Sequence, residues 1–288
     1  MAPPPPRKHL TTRDHSRDSE GFKYVYAVLS RRAGGVSVGI NLNPNNACNY
    51  RCIYCQVPGL RRGSAPTIDL ERLRGELKAL LLEIVEGRYL SDRVAPESRV
   101  LRDISISGNG EPSSCRQFEE VVDIVGELMA QHGLTGHIRF VLITNGTFLH
   151  RPELRAGMAK MAECDGEVWL KVDGGTESRR KLINDAAISK AQILRAALAV
   201  PAQLRLKLQS CFFALDGHAP DAQAVTAYLE LVRGLRAHGA PIESILLYGL
   251  ARPSTQPEAP RLSTLPEAWF EQVAGPLREL GLQVSVWV

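Results

Sequence analysis

Apolar residues recur along this chain in two alternating rhythms. Leu70, Leu73, Leu77, Leu80 and Leu81 fall three and four apart, which predicts a helix over 69–89. Similar patterns predict helices over 118–132, 152–164, 189–198, 221–238 and 265–280, with Gly133 and Gly239 as stop signals. Short apolar runs separate them, at 36–43, 103–107, 138–144, 167–172, 204–213, 242–250 and 283–288, and these are predicted strands. Strands alternating with helices of this length mean βαβ units around a parallel sheet. Six or more such units predict an α/β fold, a partial (β/α)6 TIM-like barrel.

Several of the strands are not the continuous apolar runs expected of a sheet buried on both faces. Asn41 and Asn43 alternate with Ile40 and Leu42, and Ser105 and Ser107 with Ile104 and Ile106. Lys171 and Asp173 alternate with Leu170 and Val172, and Arg205, Lys207 and Gln209 with Leu204, Leu206 and Leu208. Alternate residues point to opposite faces. One face therefore packs under helices, and the other is polar and lines the interior. Burying so many unpaired polar groups is costly, so the expectation is a cavity holding water and a polar ligand.

Composition narrows the class. A hydrophobic content of 44% supports a full core. No run approaches the ~20 apolar residues of a membrane span, and no apolar h-region opens the chain. The expectation is a cytoplasmic protein with no membrane partner. A net charge of +4, spread along the sequence, permits an anionic substrate or RNA and argues for neither. Residues 1–22 begin with a run of prolines and continue without apolar period, so they are expected to be a disordered tail, with 23–288 one domain.

Six cysteines in this length do not suggest a disulfide scaffold. Cys115, Cys164 and Cys211 are scattered, but three sit together in Cys48-Asn-Tyr-Arg-Cys52-Ile-Tyr-Cys55. Thiolates this close can reach one metal centre if the backbone loops around it. Iron–sulfur clusters are usually held by four thiolates, so three would leave one iron open. The spacing differs from the paired units of zinc sites, although a zinc knuckle or inert thiols stay as the plain alternatives.

Five other stretches carry candidate chemistry. Gly108-Asn109-Gly110-Glu111 follows a strand, where glycine lets backbone approach a ligand closely; a tight strand–helix turn explains it as well. Thr144-Asn145-Gly146 reads either as a turn or as part of a site. Lys171 and Asp173 either pair with each other or reach a ligand. Lys207 is a candidate Schiff-base amine or anion anchor. Tyr248 and Arg252 end the sixth strand, and arginine suits a carboxylate or phosphate.

The C-x3-C-x2-C spacing, with Tyr54 before the last cysteine, resembles the cluster loop of radical S-adenosylmethionine (SAM) enzymes. That resemblance implies the partial barrel of the radical SAM type, with Cys48, Cys52 and Cys55 on three irons of a [4Fe-4S] cluster and SAM on the fourth. It implies one-electron cleavage of SAM to methionine and a hydrogen-abstracting 5'-deoxyadenosyl radical, with an electron donor such as flavodoxin or ferredoxin. Gly108, Asn109, Gly110 and Glu111 match the Gly-Gly-Glu motif that holds the SAM amino group, with Asn109 in place of the second glycine. By the same resemblance Tyr54 packs on the adenine, Thr144, Asn145 and Tyr248 lie at the SAM site, and Lys171 and Asp173 lie near ribose or carboxylate.

Ser30-Arg31-Arg32, Ser107-Gly-Asn-Gly-Glu-Pro112, Trp169-Leu-Lys-Val-Asp173, Leu208-Gln-Ser-Cys-Phe-Phe213 and Arg252-Pro253 are together similar to the wyosine-synthetase-like group of these enzymes. The characterised branch of that group condenses pyruvate onto methylguanosine in transfer RNA and carries a second cluster on upstream cysteines. No cysteine precedes Cys48 here. The expected activity is hydrogen abstraction from an unidentified substrate. The alternatives are a tRNA base-modifying wyosine-type synthase and a non-catalytic Fe–S or zinc protein.

Overall fold

The computed structural model describes residues 9–12 and 21–288, and most of the expected tail lies outside the described residues. The first two strands, β1 (Val25–Ser30) and β2 (Gly35–Ile40), form an antiparallel hairpin whose turn carries Arg31 and Arg32. From β2 onward every neighbour is parallel. β3 (Leu101–Ile106), β4 (Arg139–Thr144), β5 (Gly166–Lys171), β6 (Arg205–Cys211), β7 (Ile242–Tyr248) and β8 (Gln283–Trp287) follow in spatial order as in sequence. Helices α1 (Leu70–Val85), α2 (Phe118–Gln131), α3 (Pro152–Ala162), α4 (Glu177–Asn184), α5 (Lys190–Leu198), α6 (Ala222–Ala237) and α7 (Glu267–Glu279) make the crossovers. Six β/α units and a closing strand make the expected partial (β/α)6 barrel. The edge strands β1 and β8 are not paired with each other, yet Val28 and Trp287 line one cavity, so the sheet curls without closing.

Local chemistry sets the helix ends. The Asp69, Ser189 and Asp221 side chains accept from the N3 backbone N–H of α1, α5 and α6, satisfying donors that a helix start leaves orphaned. Leu73, Leu77, Leu80 and Leu81 bury one stripe of α1, each contributing about 1.5–3 kcal/mol. That helix stops at Val85, and Tyr89–Arg93 forms a separate short helix, where the leucine spacing predicts one longer element.

The outward-facing strand residues, among them Val38, Ile104, Leu142, Leu170, Leu208 and Leu247, are core under the helices. The inward set includes Ser37, Asp103, Ser105, Lys171, Gln209 and Tyr248 and lines a cavity of about 290 Å³. The polar face is therefore interior, as its alternation predicts. Two elements go unannounced by the pattern. β1 is one long apolar stretch without alternation, and α4 has Ile183 as its one buried apolar side chain beside Arg180 and Asn184, so neither shows a period.

Candidate functional site

The segment after β2 leaves the sheet and loops over the carboxyl ends of the strands, where barrels keep their ligand sites. It is held from two sides. The Arg51 and Ile53 N–H groups donate to the Asn184 and Ile183 carbonyls, at 3.0 and 2.8 Å, so the loop rests on the end of α4. On the other side, the Ser254 hydroxyl donates to the Ile53 and Cys55 carbonyls at 2.8 and 3.0 Å. The Thr255 N–H reaches the Cys55 carbonyl at 3.0 Å. Arg252 belongs to this second clasp, with Nε donating to Gln56 Oε1 at 2.8 Å.

Cys48, Cys52 and Cys55 all line the 290 Å³ cavity. Tyr50 N–H points at Cys48 Sγ (3.4 Å) and Asn184 Nδ2 at Cys52 Sγ (3.2 Å). Burial, and next the Glu111 carboxylate, pushes the Cys48 thiol up to about 12; burial pushes Cys52 up to about 12 as well, with Lys171 opposing. Alone, these two sulfurs keep their protons near neutrality; a bound metal would remove them. Among the described residues, no three His, Cys, Asp or Glu side chains converge on a single ion. The three thiols nevertheless share one cavity and could together hold a larger metal group. Soft thiolate donors are the ligands iron–sulfur chemistry uses, so the residues fit a cluster.

The glycine loop packs directly on the cysteine loop. Asn41 Oδ1 accepts from Asn43 and Asn109 N–H at 3.1 and 3.0 Å, Asn43 Nδ2 donates to the Ala47 carbonyl at 2.8 Å, and Asn109 Nδ2 donates to Asn46 Oδ1 at 2.7 Å. A Cβ on Gly110 would collide with the Ala47 carbonyl, and one on Gly108 with the Asn41 amide. The protein's own backbone thus demands these glycines, beyond any ligand. Gly110→Ala is expected to cost about 1–3 kcal/mol or more and to lower iron incorporation, because Ala47 precedes Cys48; thermal melts and iron analysis check both.

Glu111 is 3% exposed and fully engaged. Its carboxylate accepts from Ser113 N–H (3.0 Å), the Ser113 hydroxyl (2.5 Å), Asn145 N–H (2.7 Å) and the Thr144 hydroxyl. Burial raises its pKa, and the Ser113 and Thr144 hydroxyls oppose that. Glu111, Thr144 and Asn145 are therefore brought together, joining the ends of β3 and β4. Asn145 extends the network, with Nδ2 donating to Asn49 Oδ1 at 2.8 Å, and Asn49 Nδ2 donates to Thr147 Oγ1 at 2.9 Å.

On the far wall, Lys171 and Asp173 do not form an ion pair. Lys171 Nζ donates to the Tyr248 hydroxyl at 3.1 Å and lies 5.1 Å from the centre of the Tyr54 ring. Burial disfavours this ammonium, but the Tyr248 oxygen and the Asp173 carboxylate outweigh it, and its pKa lies above the ordinary lysine value. Asp173 accepts from the Tyr54 hydroxyl (2.5 Å), Asn184 Nδ2 (2.7 Å) and Cys211 N–H (2.9 Å). Tyr54 and Tyr248 line the cavity with Lys171, while Asp173 braces them from behind and faces a second cavity on the α4 side.

Deeper in the barrel, Lys207 is tied to Glu167 at 2.9 Å, and Glu167 Oε2 also accepts from Trp169 Nε1 at 2.8 Å. That pair leaves Lys207 as a charge partner rather than a free amine. Asp103, 3% exposed, accepts from the Ser37 hydroxyl. Burial lifts its pKa from 3.8 to about 6, with the Ser37 hydrogen bond opposing. The native state therefore holds this proton in a window where the unfolded chain has lost it, and stability falls as pH rises through that window. Relative to Asp103→Asn, the parent protein is expected to lose about 2 kcal/mol between about pH 4 and pH 6.5, read by denaturant titration at each pH.

Sequence reasoning does not find Asn49, Thr147 or Asn184. Asn49 lies inside the cysteine motif and could have been suspected from its position there. Asn184 has no signal, since its sulfur partner is 132 positions away.

Comparison with known proteins agrees with this architecture. The Radical SAM superfamily profile matches residues 42–204. Among curated proteins, the chain is 26% identical over 134 residues to "GTPase Obg" of Brachyspira hyodysenteriae, covering 46% of this chain and 16% of that protein. It is 26% identical over 140 residues to a UPF0026 protein of Helicobacter pylori (strain J99), covering 48% and 40%. The chain spans less than half the length of either relative. Among solved structures, a radical SAM methyltransferase from Sphaerobacter thermophilus superposes with a TM-score of 0.54 at 14% identity, over 91% of this chain and 69% of that one, a likeness of fold. The profile match covers more than half of the sequence and takes in the cysteine loop, the glycine loop and β3 to β5; the chain belongs to the radical SAM superfamily.

Proposed function

We propose that this radical SAM enzyme binds a [4Fe-4S] cluster on Cys48, Cys52 and Cys55 and SAM across the adjoining cavity, and abstracts hydrogen from a substrate bound in the barrel lumen. The observation that carries the reading is the sharing of one cavity by the three thiols, the Gly108–Glu111 loop, Lys171 and Tyr248. When bound, the cluster and SAM supply a one-electron reductive cleavage that yields a carbon radical.

The chain's own residues hold and shield that chemistry. Asn184 and Tyr50 aim N–H groups at two of the sulfurs, which favours thiolate over thiol. Lys171 keeps a positive charge on the cavity wall that would suit the SAM carboxylate, with Tyr248 fixing its direction. Tyr54 and Phe213 pack at a centroid distance of 5.7 Å and keep an apolar wall beside Cys52. On the inward face of β5 and β6, Glu167 and Lys207 neutralise each other at 2.9 Å.

The test is anaerobic reconstitution with iron and sulfide, then SAM and dithionite, with 5'-deoxyadenosine measured by chromatography. Formation of 5'-deoxyadenosine that depends on the cluster supports the reading; a reconstituted protein that neither binds nor cleaves SAM overturns it. A flavodoxin or ferredoxin is expected to replace dithionite as electron donor.

A further inference from the structure

The lumen contains a cation and an amide that the cofactor reading leaves unused. Arg32, in the β1–β2 turn, lies with its guanidinium 5.6 Å from the Trp169 ring centre and 5.1 Å from that of Tyr248. Its neighbour Arg31 donates to the Val288 carbonyl at 2.7 Å and so fastens the open seam of the sheet. Arg32 has no part in that fastening, and its close partners among the described residues are the two rings. Asp103 lines the same cavity and senses the Arg32 charge, but the two form no ion pair. An arginine whose close partners are aromatic rings keeps N–H groups for an acceptor.

Gln209 is the second element. It is 1% exposed, lines this cavity, and its Nε2 is buried without a hydrogen-bond partner. A buried amide donor is seldom left unmatched in a folded protein, and an acceptor supplied by a ligand would satisfy it. Both residues line a lumen whose otherwise largely polar wall also carries the apolar side chains of Val141, Ile143 and Trp287.

We propose that Arg32 and Gln209 form a subsite for the carboxylate group of a small substrate, resting on the reading that the same cavity takes the cluster and SAM. A carboxylate presents two acceptors in one plane, matched to one guanidinium and one amide. Asp103 and Glu111 line the same cavity and disfavour a doubly charged phosphate there. The apolar walls accommodate the substrate's carbon skeleton, and the 290 Å³ shared with SAM restricts it to a small molecule.

The test uses reconstituted protein with SAM present, under anaerobic conditions, and ligand-observed saturation-transfer NMR. The probes are lactate and phenylacetate, each matched with its uncharged amide, together with phenyl phosphate. At least one acid is expected to bind tenfold or more tightly than its amide. Arg32→Gln and Gln209→Leu are expected to bring that ratio toward one, Arg32→Lys to retain part of it, and Gln209→Glu to invert it. Equal affinity within both pairs, no binding of any probe, or tighter binding of phenyl phosphate than phenylacetate overturns the subsite. Iron content and absorption are recorded on the same samples. A sample that takes up no cluster tells against the cofactor reading, whereas one that holds it and shows no acid preference tells against the subsite alone.

Discussion

Cys52→Ala is expected to lower both iron content and 5'-deoxyadenosine formation to less than about one hundredth of the parent values. Loss of a supporting hydrogen bond around a metal typically costs about 10–100-fold, and removal of one of three thiolates is a larger lesion. No other side chain can take over. Cys211 also lines the cavity, but burial, and then the Asp173 charge, raises its pKa well above the ordinary value, and it is packed with Phe213 and Ile53. The structural cost of the same change is small, because Cys52 is partly exposed and its loop is anchored by backbone bonds to Ile183 and Asn184. Cys164→Ala is the matched control: it lies outside the cavity, against the α2 and α3 core, and full iron uptake is expected. Colorimetric iron analysis and EPR of the reduced protein read the difference. A Cys52→Ala protein with undiminished iron would remove the cluster assignment.

Glu111→Ala is expected to destabilise the protein by about 3–5 kcal/mol, cofactor or not. The carboxylate is the sole acceptor shown for two buried N–H groups, of Ser113 and Asn145, on loops that end two different strands. Hydroxyls can rotate to another acceptor; these backbone groups are fixed by their loops. Each orphaned donor costs about 1–3 kcal/mol. Glu111→Gln keeps one acceptor oxygen and is expected to fall between the alanine variant and the parent. Thermal melts of the metal-free protein separate this from an effect on SAM. A metal-free Glu111→Ala protein that melts with the parent would show that the network is not structural. The carboxylate that the resemblance assigns to the SAM amino group is thus the one that joins the ends of β3 and β4 through Ser113, Thr144 and Asn145.

How much of the molecule is legible in its sequence depends on the range of each interaction. The polar lumen is legible because a period of two needs only the neighbours of Ser105, Lys171 and Gln209 along their own strands. The barrel follows from spacing alone. The sequence reading of Gly108 and Gly110 is access for a ligand, whereas Asn41 and the Ala47 carbonyl occupy the space a Cβ would need. The choice left open for Lys207 closes on Glu167, a partner fixed by the register of β5 against β6. Lys171 and Asp173 share a strand face, but the carboxylate is claimed by Tyr54, Asn184 and the Cys211 backbone, all distant in sequence. α4 escapes because a mostly polar helix with one buried apolar residue leaves no stripe to read. Its last residue touches both Asp173 and Cys52.

The double clasp on the cysteine loop bears on how the enzyme is matured. Zinc fingers fold only as their metal arrives. Here α4 and the segment after β7 hold the loop through bonds that involve no metal, and the glycine loop packs beneath it. The loop is thus anchored by the polypeptide's own hydrogen bonds as well as by anything its thiols would hold. On the proposed reading, stripping the iron with a chelator is therefore expected to leave the protein folded, with its thermal melt as the check, and able to take up iron and sulfide again.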